Sequence, residues 1–169
     1  MPKPQTTDFP EFYGVYISKV EADSISKAAT LYSDLLREFY TELPEEKAGY
    51  RYAEDKWTLK ELLQHAVDTE RIMSYRLLRI SRKDKTPLAS FDENEFAANS
   101  HANERSFASI KEEFVAVRKA TDLLIQSLNE EQLAQQGIAS NKPVTANAVG
   151  YIIFGHLLHH KKVIEERYL

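Results

Sequence analysis

No cysteine occurs in the 169 residues. That removes disulfides, thiolate metal ligands and a cysteine nucleophile, and it leaves no marker of an oxidising compartment. Glycine and proline are scarce, at 5 and 6, too few for a protein of many short strands and tight turns, so the shortage points to helices. A basic excess is also missing: 22 basic side chains stand against 26 acidic ones, for a formal net charge of −4. Nucleic-acid binders usually present a basic face. Here the densest basic stretch, Arg76 to Lys85, reads as the solvated end of a helix, and no nucleic-acid partner is expected. No window approaches the roughly 18 apolar residues of a membrane span, and the stretch from Met1 to Gly14 lacks the apolar core of a signal peptide. The expectation is a cytoplasmic protein with no membrane partner.

The hydrophobic fraction of 43% and the charged fraction of 28% are those of an ordinary soluble globular chain. The length suits one domain spanning residues 1–169. Four segments carry the helical period, with apolar residues recurring three or four apart. The first runs from about Asp23 to Thr41 through Ile25, Ala28, Tyr32, Leu35, Leu36 and Phe39. The second opens on Thr58-Leu-Lys-Glu61, a capping box in which hydroxyl and carboxylate satisfy free amides of the first turn, and continues to about Arg82. The third covers roughly Asn103 to Leu128, and the fourth runs from about Thr145 through His156, His160 and Val163. None of these can bury its stripe alone, so an all-α four-helix bundle is the expected fold. The connections 42–57, 83–102 and 129–144 are longer than a simple bundle needs, and long connections are often functional or contain short extra helices. Phe9, Phe12, Tyr13 and Tyr16 are costly to leave in water, so the N-terminal segment is expected to pack on the bundle.

The sharpest local feature is Gly155-His156-Leu157-Leu158-His159-His160. Residues four apart share a helical face, so His156 and His160 point together, and they fall on the apolar stripe between Ile152 and Val163. Two buried imidazoles without partners would cost about 1–3 kcal/mol each, which asks for a shared partner. His159 is rotated towards the flank that carries Gly155 and Glu166 and is assigned to the rim. His65, near the face of Leu62, Thr69 and Ile72 on the second helix, is the candidate third ligand. Three protein ligands with an open position are the common pattern of a catalytic metal. Imidazoles without an obligatory carboxylate suit a divalent transition metal, Zn, Ni or Fe, better than Mg or Ca. Neither the paired Glu-x-x-His of di-iron bundles nor the His-Glu-x-x-His of zinc proteases is present. Asp68 and Glu70 follow His65 and are the candidate catalytic carboxylates, able to orient an imidazole or move a proton. Asp92, Glu93 and Glu95 sit on a connection that could form a lid. Arg71, Arg76 and several tyrosines are candidates to line a pocket for an anionic cosubstrate. His101 lies in a long connection and is expected at the surface.

The stretch Trp57-Thr-Leu-Lys-Glu-Leu-Leu-Gln-His65-Ala-Val-Asp-Thr-Glu-Arg71, together with Gly155-His156-x3-His160 in the last helix, resembles the DinB/YfiT-like superfamily. The similarity spans nearly the whole chain, including Phe91 to Phe96. The resemblance implies a four-helix bundle holding one metal through His65, His156 and His160, assembled as a homodimer. It also implies a small-molecule substrate, since characterised relatives include transferases and an isomerase that use low-molecular-weight thiols such as bacillithiol or mycothiol, and others are described only as metal-dependent hydrolases. Three functions follow. The leading one is a thiol S-transferase, in which a metal-held thiolate attacks a small electrophile. The lack of cysteine is compatible with a nucleophile that arrives with the cosubstrate. The second is a hydrolase using metal-bound water, with Asp68 or Glu70 as acid or base. The third is a non-catalytic metal-binding bundle with a closed site.

Overall fold

The computed structural model describes residues 1–169. A 3-10 turn at Glu11–Tyr13 leads into the short helix α1, Gly14–Ile17. Four long helices follow: α2 at Ile25–Thr41, α3 at Leu59–Ser81, then after the short α4 at Glu93–Asn99 the third, α5, at Phe107–Ser127. The one-turn helix α6, Glu130–Leu133, and an antiparallel strand pair, β1 at Gln136–Ala139 and β2 at Lys142–Thr145, precede the last long helix α7, Ala146–Arg167. No helix is long and apolar enough to cross a membrane.

Each long helix begins at a polar cap. Ser24, Ser106 and Thr145 each accept a hydrogen bond from the backbone amide three residues on. The capping box at Thr58 forms as expected, with Thr58 N–H donating to Glu61 Oε2 at 2.7 Å and Glu61 N–H to Thr58 Oγ1 at 3.2 Å. The start of α5 differs from expectation. Ala102–Glu104 is a 3-10 turn and Arg105 is extended, so the helix begins four residues later, at the Ser106 cap.

The long helices form a ring in which α3 packs on α5 and α7, and α2 packs on the same two. Their directions follow from paired contacts. Lys60 reaches Arg105 and Arg71 reaches Glu113, so α3 and α5 run parallel. The Tyr168 hydroxyl reaches the Trp57 carbonyl beside the start of α3, so α3 and α7 are antiparallel. Ser33 meets Asp122 and Lys111 meets Leu43, which makes α2 antiparallel to α5. The connections 42–57 and 129–144 therefore cross the diagonal of the bundle. Residues 83–102 run back along the length of α3, and their length follows from this topology.

The third connection also corrects the all-α expectation, because it holds the two-stranded sheet. Ser140 and Asn141 turn the hairpin at φ 51° and 61°, the left-handed pair that a two-residue turn requires. Leu88 bonds to this hairpin through Ile138 O and Ser140 N, so the 83–102 connection is tied to it. At the N-terminus Tyr13, Ile17 and Val20 are buried, as the aromatic content suggested, but Phe12 stays 56% exposed. The backbone of Tyr16 passes so close to Gly155 that a Cβ there would collide with the Tyr16 carbonyl. That close approach sets α1 directly against the histidine-bearing face of α7.

Candidate metal centre

The antiparallel pair α3 and α7 places His65, near the start of one, opposite His156, at the middle of the other, and His160, one turn further on. His65 Nε2 lies 3.0 Å from His156 Nε2, and His160 Nε2 lies 3.1 Å from the same atom. The three donor nitrogens all fall within 4.8 Å of one another. A neutral ring nitrogen carries either one proton or one lone pair, so His156 Nε2 cannot form a hydrogen bond with both neighbours at once. Two nitrogens each about 2.0–2.1 Å from one metal sit about 2.8–3.4 Å apart at interbond angles of about 90–109°, so the two distances from His156 suit a shared cation.

Electrostatics agree with the geometry. Burial pushes the His65 ring down to about 4, with a smaller contribution from the charge of His159. Burial also drives His156 and His160 well below the ordinary histidine range, assisted by the neighbouring rings. All three are therefore neutral near pH 7, the state in which an imidazole offers a lone pair to a metal. Trp57 packs on His65 with ring centroids 4.7 Å apart, and Tyr16 meets His156 edge-on at 5.3 Å. These contacts fix the ring positions by packing. His160 Nδ1 is buried without a hydrogen-bond partner, so its orientation rests on its neighbours rather than on an acceptor.

The histidines stand on the wall of a cavity of about 320 Å³ whose α3 side is the row His65, Thr69, Met73 and Arg76. The opposite walls come from α1, the 83–102 connection and the hairpin, through Tyr16, Phe91, Glu93 and Ser140. The cavity gives the histidine cluster access to a small molecule.

The structure brings His65, His156 and His160 together and places the two candidate carboxylates elsewhere. Asp68 accepts a hydrogen bond from Gln64 at 2.9 Å and faces a separate groove with Arg71 and Phe96. Glu70 is buried on the other side of α3, where its Oε1 is 3.0 Å from Arg118 Nη1. It belongs to a core ion cluster with Asp122, which Arg118 also meets at 2.9 Å. Neither lines the cavity: at about 100° of helix rotation per residue, Asp68 and Glu70, the positions before and after Thr69, are turned to either side of the row His65, Thr69, Met73 and Arg76. Glu93 is the carboxylate that does line it, and Arg76 rather than Arg71 is the arginine that does. His159 sits beside His160 at the rim, half-buried and in edge contact with Tyr16. His101 is exposed and contacts Glu104. Tyr16 answers to the general expectation that tyrosines line a pocket, whereas Phe91 and Ser140 carried no sequence signal as site residues because they reach the cavity from separate connections with no common period.

The family description of the DinB superfamily matches residues 31–164. Two solved structures share the fold. One is YfiT from Bacillus subtilis, described as "a probable metal-dependent hydrolase with an unusual four-helix bundle topology", at a TM-score of 0.67 and 14% identity, covering 98% of this chain and 92% of its own. The other is the mycothiol-dependent maleylpyruvate isomerase, at a TM-score of 0.67 and 12% identity, covering 94% of this chain and 62% of its own. No curated protein matches the chain in sequence.

Proposed function

The chain belongs to the DinB superfamily, and on that premise we propose that it is a metal-dependent enzyme that transfers a low-molecular-weight thiol to a small electrophile. The observation that carries the proposal is the convergence of three neutral imidazole nitrogens on one point at the wall of an open cavity. A divalent ion such as Zn, Ni or Fe held by His65, His156 and His160 would supply an open position that stabilises a small thiol as its thiolate. The balanced reaction is R–SH + R′–X → R–S–R′ + HX: the sulfur–carbon bond forms, the carbon–X bond breaks, and the thiol proton leaves with X.

The chain's own groups have distinct tasks in this reaction. The three rings donate lone pairs, and their burial keeps protons from competing for them. Met73, Phe91 and Ile152 make much of the cavity apolar, which strengthens electrostatic contacts and limits water. The Tyr16 hydroxyl stays protonated at neutral pH, raised first by burial and then by the charge of Glu93, and is the neutral proton donor available to a leaving group.

A second reading, hydrolysis of a small ester or amide, is favoured by Glu93, the carboxylate on the cavity wall. The two readings separate in one assay. Metal-loaded protein is offered 1-chloro-2,4-dinitrobenzene with a low-molecular-weight thiol, and in parallel a nitrophenyl ester without thiol. Thiol-dependent loss of the aryl chloride supports transfer. Nitrophenol release without thiol, and no thiol-dependent reaction, supports hydrolysis.

A further inference from the structure

Two arginines are buried in this protein, and their surroundings differ. Arg118 meets two carboxylates, Glu70 and Asp122. Arg76, only 2% exposed, meets none. Its Nη2 donates to Ala89 O at 2.5 Å and to Ser140 Oγ at 3.1 Å, and its Nη1 lies 3.4 Å from the Tyr13 hydroxyl and 3.7 Å from Met73 Sδ. Every one of these partners is neutral, and no ion pair in the chain includes Arg76. A guanidinium keeps its charge at any accessible pH, and a buried charge without a counter-ion is costly. Arg76, unlike Arg118, borders a cavity open to solutes.

The position of Arg76 relative to the histidines is set by the helix. Thr69, Met73 and Arg76 follow His65 on one face of α3 and line the same cavity. Eleven residues at about 1.5 Å each separate the backbone positions of His65 and Arg76 by about 16 Å. Between them, Thr69 Oγ1 is buried with no hydrogen-bond partner, an unused polar atom on the cavity wall. Glu93 stands at the exposed mouth and forms no ion pair with Arg76.

We propose that Arg76 is an anion subsite: the substrate is a small, largely apolar acid whose carboxylate docks on Arg76 while its reactive end faces His65, His156 and His160. The reactive end rests on the proposed enzymatic reading; the carboxylate subsite does not. The contacts of Arg76 with Ala89 and Ser140 also tie the connection and the hairpin to α3. A purely structural clamp would show no preference for an anion.

The test is calorimetric titration of the full chain with hexanoate and with hexanamide, which share shape and differ in charge. It is run on protein as purified and after treatment with a chelator, so that binding of carboxylate to a metal is separated from binding to Arg76. The proposal expects hexanoate to bind about 10-fold or more tightly than hexanamide, equivalent to about 1.4 kcal/mol, with the preference surviving chelation. Arg76→Gln removes the preference, Arg76→Lys retains part of it, and Arg71→Gln does not alter it. Equal affinity for the two probes in wild type overturns the proposal, even if Arg76→Gln proves too unstable to assay. So does a preference that chelation abolishes or that Arg76→Gln retains. Because the chelated protein is read directly, failure of the metal site leaves this result interpretable.

Discussion

Nε2 of His65 lies 3.0 Å from Nε2 of His156, although 91 positions separate the two residues in the chain. The contact exists because α3 and α7 run antiparallel and each presents its histidines to the same side. With His160 added, three rings converge where hydrogen bonding can satisfy only part of the set, and a shared cation satisfies all of it.

The close approach of Tyr16 to Gly155 predicts a steric penalty. Gly155→Ala would force the Tyr16 carbonyl and α1 away from α7, and overpacking of this kind costs about 1–3 kcal/mol. Gly49, where an added methyl group meets open space, serves as the control: Gly49→Ala should stay within about 0.5 kcal/mol of wild type. Urea denaturation of both variants checks the difference. Equal midpoints would show that α1 is free to shift.

Arg118 neutralises two carboxylates in the core. Arg118→Met leaves Glu70 and Asp122 buried without it and should cost about 3–5 kcal/mol. Adding Glu70→Gln to that variant removes one of the orphaned charges and should recover part of the loss. A double variant no more stable than the single one would contradict this reading of the cluster.

Stability should depend on pH in a defined direction. In the unfolded chain the histidines titrate near about 6.5. In the folded chain burial holds His65 at about 4 and His156 and His160 well below their ordinary range. Between those limits the unfolded state binds more protons, so stability is fully present above about pH 6.5 and falls as the pH drops, by at most about 1.4 kcal/mol per pH unit for each ring. Urea midpoints of metal-free protein at about pH 7.5 and 5.5 read this directly. An unchanged midpoint would mean that the rings are solvated.

The two carboxylates near the site also make separable predictions for ester hydrolysis, should that activity be found. Glu93 lines the cavity and Asp68 faces another groove. Glu93→Gln should lower the rate by about 10²-fold or more, the usual effect of losing a general acid or base, whereas Asp68→Asn should change it by less than about twofold, as expected for a group outside the cavity. The rate of nitrophenol release in the two variants decides it, and the reverse order would return Asp68 to the chemistry.

Much of this was legible in the chain. The stripes located all four long helices because each buries one face, and the Thr58 capping box marked the start of α3 to the residue. The Ser106 cap was available too: the apolar stripe starts only at Phe107, and the polar run Asn103 to Arg105 ahead of it carries no helical period. The hairpin was not legible: its strands have four residues each, and its turn uses Ser140 and Asn141 in place of glycine, so neither alternation nor turn chemistry stood out. The histidine trio was readable from the four-residue spacing in α7 and the face of His65. The carboxylates were not, because the cavity follows Thr69, Met73 and Arg76 along α3, and Asp68 and Glu70 flank that row on either side. The opposite cavity wall is built by connections whose return path along α3 only the fold reveals.

The central claim is tested most directly by measuring bound metal through elemental analysis of untagged protein, beside His65→Ala, His156→Ala, His160→Ala and His159→Ala. The account predicts about one transition-metal ion per chain in wild type, as for a three-ligand site. It also predicts near-complete loss in the first three variants and retention in His159→Ala, since that ring stays at the rim. A wild-type protein that neither retains nor can be loaded with a transition metal would contradict it, as would full metal content in any of the first three variants.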